Sequence, residues 1–162
     1  MNNQHQRGSV VVETAITMFV LFLLLFGIME FGRAFNMYQV LTDAAREGAR
    51  FSVAPDPANS YGLPAAQQVA DRACNFLKAA SVQVSCTVNT NLPAGSTCNS
   101  AGTLPNTVPS GIYVVQCPVA DPVSTQTTTY TEVDIAAPYN FLFFPYGTMN
   151  LRTRAVMRNE DN

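Results

Sequence analysis

The strongest pattern in the chain is an unbroken apolar run near its start. From Ser9 to Met29 the only ionisable side chain is Glu13. Val10 to Met29 is 20 residues, which as a helix spans about 30 Å, the thickness of a bilayer hydrocarbon core. Its centre, Phe19-Val20-Leu21-Phe22-Leu23-Leu24-Leu25-Phe26, carries no polar side chain. Backbone polar groups in lipid must be satisfied within the segment, so a transmembrane helix is expected.

The helix has no strong reason to stop at the membrane. Nothing from Glu30 to Val53 breaks it, and Pro55 is the first breaker. Phe31, Phe35, Tyr38, Leu41, Ala45 and Ala49 recur at steps of three and four, which predicts one apolar stripe. That stripe can cover the domain's own sheet, or pack against other subunits. Ala44, Ala45, Gly48 and Ala49 are small enough for a second element to approach closely. Asp43 with Arg46 and Glu47 with Arg50 are attractive pairs at helical spacing, whereas Arg46 and Arg50 repel.

Further along, the period changes. Pro64 suits the first turn of a second helix, expected to about Ala80, with Val69, Ala73, Phe76, Leu77 and Ala80 on its apolar face. Val82, Val84, Cys86 and Val88 alternate with polar residues, a first strand. Ile112 to Cys117, Thr125 to Ala136 and Met149 to Met157 fit three more. Asn89 to Gly111 reads as a long surface loop. Two helices and about four mainly antiparallel strands make an α+β fold, with a helix against one face of the sheet. The cluster Tyr139, Phe141, Phe143, Phe144 and Tyr146 falls between the last two strands. It is either a cap on the core or an exposed patch facing the membrane or a partner.

Composition narrows the chemistry. Only 12% of residues are charged and the net charge is −2. No Lys/Arg cluster points to nucleic acid. His5 is the only histidine, so the usual activator of a Ser or Cys nucleophile is missing beyond the first eight residues. No phosphate loop or metal-ligand pattern stands out. Glu132 and Asp134 sit at strand spacing and read as a solvated face. No catalytic residue, cofactor or metal is expected, and an enzyme is not.

Cys74, Cys86, Cys98 and Cys117 all follow the apolar run. An even count suggests two disulfides, with reduced core cysteines as the alternative. Zinc is disfavoured, because there is no Cys-x-x-Cys and no histidine to join it. Cys86 with Cys98 and Cys74 with Cys117 are the expected pairs. The first would tether the long loop and the second would staple helix to sheet.

Three processing histories fit the N-terminus: a removed signal peptide cut near Ala34, an uncleaved signal anchor, or a pilin-type anchor. Glu13 separates them. An acid inside a lipid-facing segment is costly unless it snorkels or finds a partner. If the chain is cut after Gly8, Ser9 carries a free amine one helical turn from the Glu13 carboxylate. A buried charge requires its partner, so that pair would favour assembly over a lone subunit.

Arg7-Gly8-Ser9-Val10-Val11-Val12-Glu13 resembles the class III leader of type IV pilin-like proteins. With Phe26-Gly27-Ile28-Met29-Glu30-Phe31-Gly32-Arg33 and Ala44-Ala45-Arg46-Glu47-Gly48-Ala49-Arg50, the chain is similar to the TadE-like pseudopilins of the Tad (Flp) pilus. The ending, with Ala155-Val156-Met157-Arg158, is also similar. Thr14 and Phe19 stand where many members have phenylalanine and proline, and without that proline the helix should run straighter.

The resemblance implies a cytoplasmic leader over residues 1–8, removed by a prepilin peptidase between Gly8 and Ser9. It further implies an inner-membrane helix over 9–29, a helical extension over 30–54 and a periplasmic domain over 55–162. The implied function is a pseudopilin or minor pilin in Tad pilus assembly and tight adherence, possessing pilin subunits and Tad assembly components as partners. The alternative is a membrane-anchored binding or adhesin-like module with no assembly role, using the loop Asn89 to Gly111.

Overall fold

The computed structural model describes residues 4–54, 63–89, 109–120, 127–142 and 147–158. Within them the fold is α+β: a long helix, a second helix and a four-stranded mixed sheet. Helix α1 runs without interruption from Gln4–Ser52, 49 residues. Two hydroxyls in its apolar part bond back one turn, Thr14 Oγ1 to the Val10 carbonyl at 2.8 Å and Thr17 Oγ1 to the Glu13 carbonyl at 2.9 Å. Both polar groups are thus satisfied without leaving the helix.

Helix α2 spans Ala66–Ala79. Pro64 precedes it and is buried, and the Gln68 side chain accepts the Ala65 amide at 2.8 Å. Val69, Ala70, Ala73, Cys74 and Leu77 form the buried face. Phe76, expected on that face, is 40% exposed. The helix ends in a two-bond reversal: Ser81 N–H to the Lys78 carbonyl at 3.0 Å and Val82 N–H to the Leu77 carbonyl at 2.9 Å. This turn holds Ser81 at φ 61°, in the left-handed region.

Strands β1 (Val88–Asn89), β2 (Gly111–Ala120), β3 (Thr127–Asn140) and β4 (Thr148–Arg158) lie in sequence order across the sheet. The β2–β3 and β3–β4 pairs are antiparallel, while β1 joins β2 in parallel. The strand expected over Val82–Val88 is therefore a correction: only its last residue pairs in the sheet. The segment before it runs back along α2, where the Gln67 side chain donates to the Cys86 carbonyl at 3.1 Å and accepts the Val88 amide at 3.3 Å. Those groups are bonded to a helix, not to a neighbouring strand.

That return path also sets the disulfide. Cys74 on α2 is bonded to Cys86, with Cα atoms 5.6 Å apart. This replaces both expected pairings, Cys86 with Cys98 and Cys74 with Cys117. The expectation of one bridge tethering the loop and another stapling helix to sheet missed that residues 82–86 fold onto α2 itself. Cys117 is also disulfide-bonded. Cys98 and most of the Asn89–Gly111 loop lie outside the described residues.

The core lies between the helices and one sheet face. Leu41, Ala44, Ala45 and Ala49 of α1 meet Val69, Ala73 and Leu77 of α2, and Ile112, Val114, Val133 and Ile135 of the sheet. Gly48 marks a close approach of α1 to α2 and the sheet. A Cβ there would lie 3.3 Å from the Ala73 Cβ and 3.5 Å from Val133 Cγ1.

Candidate membrane-anchoring and assembly surface

The upper and lower parts of α1 have different surroundings. Val10 to Met29 is exposed at nearly every side chain, and the helix is long and apolar enough to cross a membrane. Gly8, Ser9 and Glu13 all sit on this exposed, continuous helix. Among the described residues, the Glu13 side chain makes no ion pair or hydrogen bond. The structure thus places it on a surface that only lipid or another molecule can cover.

The stripe expected beyond the membrane-length segment divides. Leu41, Ala45 and Ala49 are fully buried. Phe31, Phe35 and Tyr38 are exposed, with Phe31 and Phe35 stacked on each other at 6.3 Å between centroids. The face turned toward the domain carries Glu30, partly buried Met37, and then Leu41. The buried face begins with an acid, which a search for apolar periodicity passes over.

Glu30 is the site's central group. It follows directly on Met29 and is only 5% exposed. Its Oε1 accepts the Tyr139 hydroxyl at 2.6 Å and the Leu142 amide at 3.2 Å. Arg33 approaches both carboxylate oxygens at 3.4 Å. The Tyr139 hydroxyl also lies 3.1 Å from the Glu30 carbonyl oxygen. Arg33 stands over the Tyr139 ring at 5.8 Å, and Phe141 meets that ring edge-on at 5.3 Å. The Tyr139 hydrogen bond, followed by the Leu142 amide and the Arg33 charge, lowers the Glu30 pKa against the opposing effect of burial.

Tyr139 is therefore not a free member of an aromatic patch. It sits in β3, buried, as a tether to α1. Phe143, Phe144 and Tyr146 of that cluster lie outside the described residues. Above the tether, a cleft of about 470 Å³ opens between α1 and the end of α2, lined in part by Asn36, Ser81, Gln83 and Asn140. Direct linkage of helix to domain at this end thus runs through Glu30, Tyr139 and Leu142.

The other sheet face carries a second charged group. Glu132 and Asp134, expected as a solvated face, are buried at 0% and 1% exposure. The register places Arg154 opposite Asp134 on β4. Arg152 donates to Asp134 Oδ2 at 2.5 Å and Arg154 to Oδ1 at 3.2 Å. Arg154 Nε also lies 2.9 Å from Glu132 Oε1. Alternating acids on one strand against alternating arginines on its antiparallel neighbour were the available signal. At the helix pair, Arg72 of α2 reaches Glu47 of α1 at 2.8 Å.

The long helix, apolar first and buried under its own domain later, coincides with a family match. The model of the family described as TadE-like protein matches residues 8–50. This segment is TadE-like. The match covers the membrane-length part of α1, Glu30 and the buried small-residue turn, and ends just before the helix does. Comparison with curated proteins and with solved structures finds no match. The TadE-like resemblance points to an association with the Tad pilus and to a structural family.

Proposed function

We propose that this protein is a membrane-anchored pseudopilin or minor pilin that takes part in Tad pilus assembly. The observation that carries the proposal is the TadE-like helix itself. One element is bare and apolar over a bilayer's length, then becomes the core helix of a small domain. A subunit built this way can leave the membrane sideways into a bundle of like helices without unfolding its domain.

In this reading residues 1–8 are a cytoplasmic leader, a prepilin peptidase cuts between Gly8 and Ser9, and the domain stands outside the cytoplasm. The disulfide between Cys74 and Cys86 supports that side of the membrane. The new amine at Ser9 and the exposed Glu13 carboxylate then set the axial register between neighbours. A Glu13→Ala change tests this step. It should leave leader removal intact and reduce pilus output in cells carrying the assembly apparatus. Undiminished pilus output in that variant contradicts the role given to Glu13.

A further inference from the structure

We infer that the two residues that follow β3, Phe141 and Leu142, form a second membrane contact, seated in the interfacial zone of the bilayer beside α1. This rests on the reading of α1 as a spanning helix and adds a partner, the lipid surface, to the domain itself.

Depth is fixed by a hydrogen bond. The Leu142 amide donates to Glu30 Oε1 at 3.2 Å, and Glu30 is the residue after the apolar segment ends. Leu142 therefore stands level with the boundary of the hydrocarbon. The Leu142 side chain is 65% exposed at that level. On α1, Ile28 and Met29 are exposed just below it, and Phe31 and Phe35 just above. Apolar surface thus continues past the level of Leu142 on the helix, so the water boundary does not fall short of it.

The polar groups at this level are prepared for low water content. The Glu30 carboxylate receives donors from Tyr139, Leu142 and Arg33 and faces little solvent. The Leu142 amide, which lipid would leave unsatisfied, is bonded. Arg33, paired with Glu30, still keeps nearly half of its side chain exposed on the side where headgroups would lie. Continuity with the lipid already surrounding α1 selects the bilayer as the occupant, over a second protein.

The chain contains no tryptophan, so one introduced indole reports its own surroundings. Leu142→Trp, Ile28→Trp and Arg50→Trp are each made in the full chain and reconstituted into phosphatidylcholine–phosphatidylglycerol vesicles. Fluorescence is quenched from within the bilayer by brominated lipid and from water by iodide. The inference expects brominated lipid to quench at positions 28 and 142 but not at 50, with emission at 142 to the blue of that at 50. Quenching at 28 by lipid, with 142 quenched by iodide alone, overturns the inference and leaves the spanning helix standing. Lipid quenching at neither 28 nor 142 overturns the spanning reading and the inference with it.

Discussion

The Tyr139 hydroxyl donates to Glu30 Oε1 at 2.6 Å, joining residues 109 positions apart. The bond fastens the third strand of the sheet to the helix where its membrane-length segment ends. It makes helix and domain one body at that level. Tyr139→Phe removes the shortest of the donors to Glu30 while keeping the ring under Arg33. The variant should unfold at lower temperature in detergent than the parent protein. An unchanged midpoint would show that the Leu142 amide and Arg33 suffice.

The same carboxylate gives stability a pH dependence. Its pKa is lowered in the folded protein, so the unfolded chain binds the proton first as pH falls. The contribution is complete above the ordinary carboxylate range and is lost as pH drops through the lowered folded value. Glu30→Gln should flatten that part of a stability–pH curve between neutral and acid pH.

Arg154 stands between two buried acids, 2.9 Å from Glu132 and 3.2 Å from Asp134. Arg154→Met keeps an unbranched apolar stem and removes the charge. Breaking one side of a buried ion pair typically costs about 3–5 kcal/mol. Urea unfolding should show a loss of that order. A loss near that of a surface substitution would mean that the acids are hydrated in solution.

Two backbone positions predict opposite signs. Ser81 holds φ 61° at the end of α2, a conformation that suits glycine better. Ser81→Gly should stabilise the domain by about 0.5–1 kcal/mol. Gly48 has room for little more than a Cβ against Ala73 and Val133. Gly48→Ile should overpack this point and destabilise by about 1–3 kcal/mol or more. Chemical denaturation of both variants checks the pair.

The disulfide between Cys74 and Cys86 makes a distinct chemical prediction. Cys86→Ser should release one alkylatable thiol, at Cys74, and cost about 3 kcal/mol by the loop it no longer closes. A freed thiol at Cys98 would instead restore the pairing expected as a tether of the long loop.

Legibility followed how local each feature was. The long helix could be read from its unbroken apolar run, and β2, β3 and β4 from alternation, because both patterns reside in neighbouring residues. The segment before β1 alternates equally well, yet Gln67 takes the Cys86 and Val88 backbone bonds and leaves it along α2. Nothing local records that choice. Glu132 and Asp134 read as solvated until β4 is in register beside them, when Arg152 and Arg154 supply the charges that let them be buried. Glu30 was hidden for a related reason. An acid at the end of an apolar run ordinarily marks the water boundary, and its partner Tyr139 lies more than a hundred residues away. Gly8, Ser9 and Glu13 are legible only as a motif, since the partners proposed for them, a peptidase and other subunits, lie outside the chain.

The central claim is that this helix is matured as a pilin-type anchor. The most direct measurement is the intact mass and N-terminal peptide of the protein recovered from cells with an active prepilin peptidase. The account predicts a chain beginning at Ser9, and one beginning at Met1 when the peptidase is absent. Residues 1–8 still attached in the presence of the active peptidase, or a chain that begins beyond Ala34, would contradict it.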